Sequence, residues 1–325
     1  MEEAHLADDL ESALDGEPVA KLSRALVPRD LLRPPTVAEL LRYAAVEWAG
    51  MLACWAAMAL LPWWTYPVWA VLVAGRLHAL GVILHDAAHM PLRKKSLAVR
   101  VLEVVGGFPL MTTLNAMRYH HLRHHRDSGM PSDPYFKPGL AGRPWLYAVQ
   151  VLRGALLVTF WGTRPIVALG AFSSARVRVA YAKVYLQDRS TDDLAASREV
   201  LDCARADLAQ FGALGLVVAL AVLWPAGLVF GWYLPAIGSG LLAAWRLLQE
   251  HNYDRAMDRR VETIVATTND HHLDSWLDKL VLAPRNIGYH VVHHIHPQVG
   301  LAHLPAVRAW WLRHHPEVYR VRHVG

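Results

Sequence analysis

Cysteine is nearly absent. Two thiols among 325 residues, Cys54 and Cys203, cannot build a disulfide framework, a cysteine-rich zinc site or an iron–sulfur cluster. Charge is scarce too, with 19% Asp, Glu, Lys and Arg where soluble domains carry about 25%. Together with 54% hydrophobic residues and a mean hydropathy of +0.18, this excludes a long disordered chain and points to a membrane protein. Lys and Arg are missing from residues 1–20, which hold seven acidic residues. The formal net charge of +5 therefore hides a surplus of twelve positive charges over the remainder. No basic n-region followed by an apolar run and a cleavage site occurs, so no signal peptide is expected. Residues 1–40, punctuated by Pro28, Pro34 and Pro35, are expected to form a flexible acidic segment ahead of a membrane domain over 41–325.

Histidine and tryptophan are abundant, at 19 and 13. Tryptophan suits a bilayer interface, whereas so much imidazole needs a chemical reason. Apolar runs come in two pairs. Ala44 to Leu61 and Val68 to Leu84 flank the connector Pro62-Trp63-Trp64-Thr65-Tyr66-Pro67, and Leu208 to Trp224 and Ala226 to Trp245 flank Pro225. Each run approaches the roughly 20 residues that span a bilayer core, and the short turns predict antiparallel hairpins. Four spans put both termini on one side. The hairpin tips carry no Lys or Arg. The opposite side has Arg93, Lys94 and Lys95, then Arg118, Arg123 and Arg126, then Arg255, Arg259 and Arg260. Positive charge marks the cytoplasmic side, so the termini and long loops are expected there. Trp63, Trp64, Tyr66, Trp224, Trp232 and Tyr233 then form an outer aromatic belt. Leu97 to Leu114 and Trp145 to Ala171 are apolar but interrupted, which predicts interfacial or re-entrant helices, with extra spans as the alternative. Glu47 and Arg76 fall inside the first hairpin, either as a mutual pair or as a polar lining for a substrate tunnel.

The histidines fall into four groups. His85-Asp86-Ala87-Ala88-His89 follows the second span, with its two imidazoles one helical turn apart. His121, His124 and His125 in HHLRHH share one helical face, and His290, His293 and His294 in HVVHHIH repeat that spacing. His251 follows the fourth span in Gln249-Glu250-His251-Asn252. All nine fall at cytoplasmic helix ends in the four-span topology. Nine nitrogens are too many for one tetrahedral zinc but supply two metals with four or five each. Imidazole suits Fe, Zn, Cu and Ni, so ligand type alone does not choose the metal. HDAAH also mimics the zinc-protease HExxH with Asp for Glu, a reading that leaves the other groups without a role.

These segments resemble the membrane-bound fatty acid desaturase superfamily, whose members carry a first box HxxxH or HxxxxH and two further boxes HxxHH. HDAAH at 85–89, HLRHH at 121–125 and HVVHH at 290–294 match them, and Asn286-Ile287-Gly288-Tyr289 and His296-Pro297 frame the third box. Glu250-His251 resembles the additional ligand upstream of the third box, with His271 and His272 as competitors for that ninth place. The resemblance covers about residues 40 to 316. Val292 departs from it, standing where Glu or another polar residue is usual. His120 and His296 extend the boxes as groups that could orient ligands.

The resemblance implies an all-α integral membrane enzyme: about four transmembrane helices in two hairpins, interfacial helices and a cytoplasmic histidine-box region. It implies two iron ions held by His85, His89, His121, His124, His125, His251, His290, His293 and His294, with no catalytic side chain beyond these ligands. The expected reaction is O₂-dependent desaturation of a fatty acyl chain, with hydroxylation or ketolation of a lipid, carotenoid or alkane as the alternative. A non-catalytic metal-binding membrane protein fits less well, because transporters line their spans with polar residues and here the histidines gather at the ends. No cytochrome b5-like or rubredoxin-like segment is recognised, so electrons are expected from a separate donor such as a ferredoxin or a reductase. The basic residues beside the boxes could dock such a donor or meet anionic lipids. No nucleic-acid partner is expected. Asp86, Asp127, Asp133, Glu250 and Asp254 stand near ligand positions as candidate acceptors for imidazole N–H groups. The expected location is the bacterial inner membrane, with the active site and both termini cytoplasmic.

Overall fold

The computed structural model describes residues 26–91, 95–137, 139–140, 143–253, 256, 258–273 and 275–324. Expectations resting on residues 1–25, Arg93, Lys94, Asp254 and Arg255 lie outside the described residues. The architecture is helical, with one short pair of strands. In α1 (Val37–Leu60) the Thr36 hydroxyl accepts the Glu39 N–H at 3.2 Å, closing the first turn. A 3₁₀ turn at Trp63–Thr65 reverses the chain into α2 (Tyr66–Ala88), which begins with Pro67 in its first turn. These two form the first expected hairpin. From Val73 to Ala88, α2 is buried on most sides and makes the axis of the bundle. Val46, Leu52 and Leu60 on α1, and Val68 and Val71 on α2, are exposed apolar groups suited to lipid.

Beyond the first hairpin, Ser96 caps α3 (Leu97–Gly106) and Thr113 caps α4 (Leu114–Asp127). Between them a 3₁₀ turn at Phe108–Leu110 and left-handed Met111 (φ 54°) bend the path by 80°. The apolar stretch expected to be interfacial or re-entrant is therefore a broken helix. The next one continues further than its interruptions imply. Segments α5 (Pro144–Arg153) and α6 (Leu157–Gly162) stack through a 3₁₀ turn at Gly154–Leu156. The chain then passes through α7 (Arg164–Ser173), α8 (Ala175–Tyr185) and α9 (Arg198–Leu208). The second hairpin joins α10 (Phe211–Leu223) to α11 (Pro225–Leu228), a π-turn at Val229–Tyr233 and α12 (Leu234–Gln249).

Five described helices are long and apolar enough to cross a membrane: Val37–Leu60, Trp63–Ala88, Trp145–Gly162, Arg198–Leu223 and Pro225–Gln249. Four correspond to the expected spans. Trp145–Gly162 is the addition, because Arg153 and Gly154 tighten the helix there without ending it. Gly154 crosses Gly240 of α12 so closely that a Cβ on either would overlap the other's backbone. Small residues at such a crossing let helices pack where lipid supplies no hydrophobic drive.

Past α12 come α13 (Val261–Thr267), β1 (Asn269–His271), α14 (His290–Ile295), α15 (Leu304–His314) and β2 (Arg322–Val324), which pairs parallel with β1. This cap has its own core around Ile295, Leu304, Val307 and Trp311, and it closes over the α2 and α4 ends that carry the first two boxes. A separate core beneath α7, α8 and α9 surrounds buried Arg164 and Asp207, which are paired at 2.7 Å.

Candidate metal centre

Four chain segments deliver the nine imidazoles. The last turn of α2 presents His85, and His89 follows at its end. Their position is fixed from α4: the Arg118 guanidinium donates to the carbonyls of Ala88 and Met90, satisfying backbone acceptors at the helix terminus. Within α4, His121 and His125 turn toward α2 while His124 turns toward α12 and the cap. Short α14 presents His290, His293 and His294, and its first turn is tied down by the Asp270 carboxylate, which accepts the Val291 N–H at 2.8 Å. His251 directly follows α12 and pairs through its backbone with Thr268.

The side chains sort into two groups. In the first, ring nitrogens of His85, His89, His121, His125 and His293 all lie within 4.8 Å of one another. In the second, His124, His251 and His294 meet the same limit. His290 adjoins the second group, its Nε2 3.2 Å from His251 Nε2. Five and four is the division expected for two metals. Each expected ligand is brought to one of the two groups. His271 and His272 are not; His271 faces Glu250 and Trp245 instead.

The spacing tests whether a cation fits. Two imidazole nitrogens bound to one metal at about 2.1 Å and at right angles lie about 3.0 Å apart, and somewhat further at a tetrahedral angle. His89 and His121 place their Nε2 atoms 2.9 Å apart, His121 and His125 3.0 Å, His124 and His251 3.0 Å, and His251 and His294 3.3 Å. His121 Nε2 thus faces two other ring nitrogens at once, more than a single ring proton can satisfy. Fully buried His293 has no hydrogen-bond partner for either ring nitrogen among the described residues. A shared cation resolves both, so the donor set fits two metal ions.

Electrostatics agree. Burial, then neighbouring imidazoles and Arg246, pushes His293 well below the ordinary histidine range, and His290 and His294 likewise by burial and adjacent histidines. Burial and then His124 bring His251 down to about 4; burial and then Arg118 bring His89 down to about 3. These five rings are therefore neutral near pH 7, with a lone pair available for a metal.

Outer contacts orient several rings. His124 Nδ1 lies 2.8 Å from Asp133 Oδ1, and His251 Nδ1 donates to the Leu247 carbonyl at 3.0 Å, so both Nε2 atoms face inward unprotonated. Burial favours the neutral Asp133 acid, but His124 and the N–H groups of Tyr135 and Gly129 outweigh it and hold the carboxyl below its usual range. Glu250, 1% exposed, takes Arg246 at 2.5 Å and stands 3.5 Å from His290 Nδ1.

Two other acidic candidates are corrected. Asp86 accepts the Leu301 N–H rather than an imidazole, because its side chain points to the cap. Asp127 chelates neighbouring Arg126. The box extensions differ as well: His120 meets the Tyr135 hydroxyl at 2.5 Å, and His296 accepts from Trp311 in the cap core. Among the basic residues, Arg123 pairs with Glu199 and Asp188, and Arg260 with Asp258. Sequence reasoning missed Asp270, whose distance from the third box gives no local signal.

No curated protein matches the chain in comparison. The Fatty acid desaturase family model matches residues 61–324, from the first hairpin tip to the last strand. That match takes in all three boxes and His251, and the chain belongs to the fatty acid desaturase family.

Proposed function

We infer that the protein is an O₂-dependent acyl-chain desaturase with two irons, one in each histidine group. The observation that carries this is the five-and-four division of nine imidazoles, six of them on buried residues. When bound, iron supplies the reduction of O₂ that redox-silent zinc does not. The net change is R–CH₂–CH₂–R′ plus O₂, two electrons and two protons, giving R–CH=CH–R′ and two waters. An external protein donor supplies the electrons. The chain's own contribution is to bury the rings, exclude water from them, and fix their tautomers through Asp133 and the Leu247 carbonyl. Box residues at helix ends let a lipid chain enter from the bilayer while electrons arrive from the aqueous side.

Convergence also constrains topology. His124 and His251 meet, so the chain between them crosses the bilayer an even number of times. The spans flanking Pro225 supply that pair, and Trp145–Gly162 lies against α12 without adding a third crossing. Positive charge near the boxes supports our reading that they face the cytoplasmic side of a bacterial inner membrane.

The test is to feed a deuterated saturated fatty acid to cells expressing the protein and to analyse products by mass spectrometry. Loss of two adjacent hydrogens supports the reaction, and His293→Ala abolishes it while exposed His323→Ala leaves it intact. A product that gains oxygen without a double bond reassigns the enzyme as a hydroxylase. Full activity with zinc alone overturns the redox reading.

A further inference from the structure

One polar cavity lies apart from the histidines. It measures about 430 Å³, within the range of small-molecule pockets, and its wall includes Tyr43, Glu47, Arg76, Lys279, Arg285 and Asn286. Among the described residues of that wall Glu47 is the only carboxylate, against three cations. It is also doubly engaged and only 1% exposed: Arg76 Nη1 donates to Oε2 at 2.8 Å and Arg285 Nε to Oε1 at 2.8 Å. Two positive charges are therefore left uncompensated in a partly desolvated space, an arrangement that favours an anion.

Position indicates which kind of anion. Glu47 and Arg76 fall about midway along the candidate spans Val37–Leu60 and Trp63–Ala88, and exposed apolar Val46 on α1 and Val71 on α2 stand near them in sequence, so the cavity lies beside apolar surface. An amphiphile can place its head there and its chain among the lipids. The wall is built with some strain, because Arg285 and Asn286 both adopt left-handed backbone angles (φ 58° and 65°). It is also joined to the metal centre. Asn286 donates to the Leu301 carbonyl at 3.2 Å, and the Leu301 N–H donates to Asp86, the neighbour of His85. Arg76 and His85 share α2, nine residues or about 13 Å apart along its axis.

We propose that this cavity binds the anionic head group, a carboxylate or a phosphate, of the amphiphilic substrate; this rests on the acyl-chain reading above. The cations hold the anion, and Glu47 keeps Arg76 and Arg285 aligned for it. Anchoring at that distance along α2 brings mid-chain methylenes, rather than the chain terminus, toward the first histidine group.

Full-length protein in zwitterionic nanodiscs is titrated with palmitate, palmitoyl lysophosphatidate, hexadecanol and inorganic phosphate, with binding read by native mass spectrometry. One or both anionic amphiphiles bind at least about tenfold tighter than hexadecanol, the scale of one charge-assisted contact. Exposed Lys279→Gln removes that advantage without changing hexadecanol binding, and Arg176→Gln, remote in sequence on α8, changes neither. Palmitate alone identifies a carboxylate site; lysophosphatidate alone identifies a phosphate site. Equal binding of hexadecanol, indifference to Lys279→Gln, or inorganic phosphate binding as tightly as the amphiphiles overturns the proposal. Selective binding with no alkene formed defeats the proposed reaction and keeps the site. Alkene formation without selective binding does the reverse.

Discussion

A substitution at Asp133 should distinguish the two histidine groups. Its carboxylate accepts from His124 at 2.8 Å, from the Tyr135 N–H at 2.8 Å and from the Gly129 N–H at 3.0 Å, and the side chain is nearly fully buried. Asp133→Asn keeps the shape but removes the charge and sets an NH₂ group against donors. Hydrogen bonds to charged groups contribute about 1.5–3 kcal/mol, which is about 10- to 150-fold in an equilibrium constant. Losses of about 10- to 100-fold in metal affinity are typical for such outer partners. Only the second group contains His124. Protein dialysed against graded chelator and measured by elemental analysis should therefore lose one metal early. The other should leave at the wild-type chelator concentration. Circular dichroism checks that the fold persists. Retention of both metals at wild-type strength, or their joint early loss, would refute the assignment of His124 to a separate site.

Three further outcomes follow from packing and topology. Asp207 is fully buried, paired with Arg164 and hydrogen-bonded to Tyr181 and Thr113. Asp207→Asn should cost about 3–5 kcal/mol in detergent unfolding, and Arg164→Met combined with Asp207→Leu should recover much of that. Gly240→Val should lower the thermal midpoint by overpacking of about 1–3 kcal/mol against Gly154, with a conservative exposed change such as Val222→Leu as the neutral comparison. Reporter fusions after Lys95, Lys183 and Arg260 should all report cytoplasm; an external signal at any of them would break the even-crossing model.

Local signals carried the parts of this structure that sequence could reveal. The spacings HxxxH and HxxHH are helical periodicities, so His85 with His89, and His121 with His125, could be placed on common faces before any fold was known. Charge and tryptophan placed the hairpins for the same reason, since each depends on a short window. Contacts between distant segments could not be seen. Glu47 and Arg76 were visible as charges within apolar runs, but Arg285, more than two hundred residues away, completes their triad only because a π-turn at Asp278–Leu282 packs on Gly75. Glu250-His251 favours His251 over His271 in the sequence, and the meeting of α12 with α14 brings His251, not His271, to the histidine groups. The length of the fifth apolar helix was not legible because Arg153-Gly154 reads as a break, whereas helix stacking across Gly240 absorbs it.

The two groups share supports unequally, and this gives a last prediction. His89 and His85 on α2 serve only the first group, and His251 serves only the second. Both α4 and α14 serve both: His293 enters the first, and His294 the second with His290 at its edge. Moving α14 should therefore disturb both metals, unlike the Asp133 change. Asp270 is the lever, since its Oδ1 accepts the Val291 N–H in the first turn and its Oδ2 faces Arg308 at 3.3 Å. Removing a comparable cap costs about 0.5–2 kcal/mol, so Asp270→Ala should lower both metal affinities by about 2- to 30-fold together. Asp270→Asn, which keeps one carbonyl acceptor, should recover part of the loss. In the same chelator titration the two release midpoints should move in parallel. Separation of those midpoints in Asp270→Ala would show that α14 does not act as one rigid support, and the coupling argued from its shared histidines would fail.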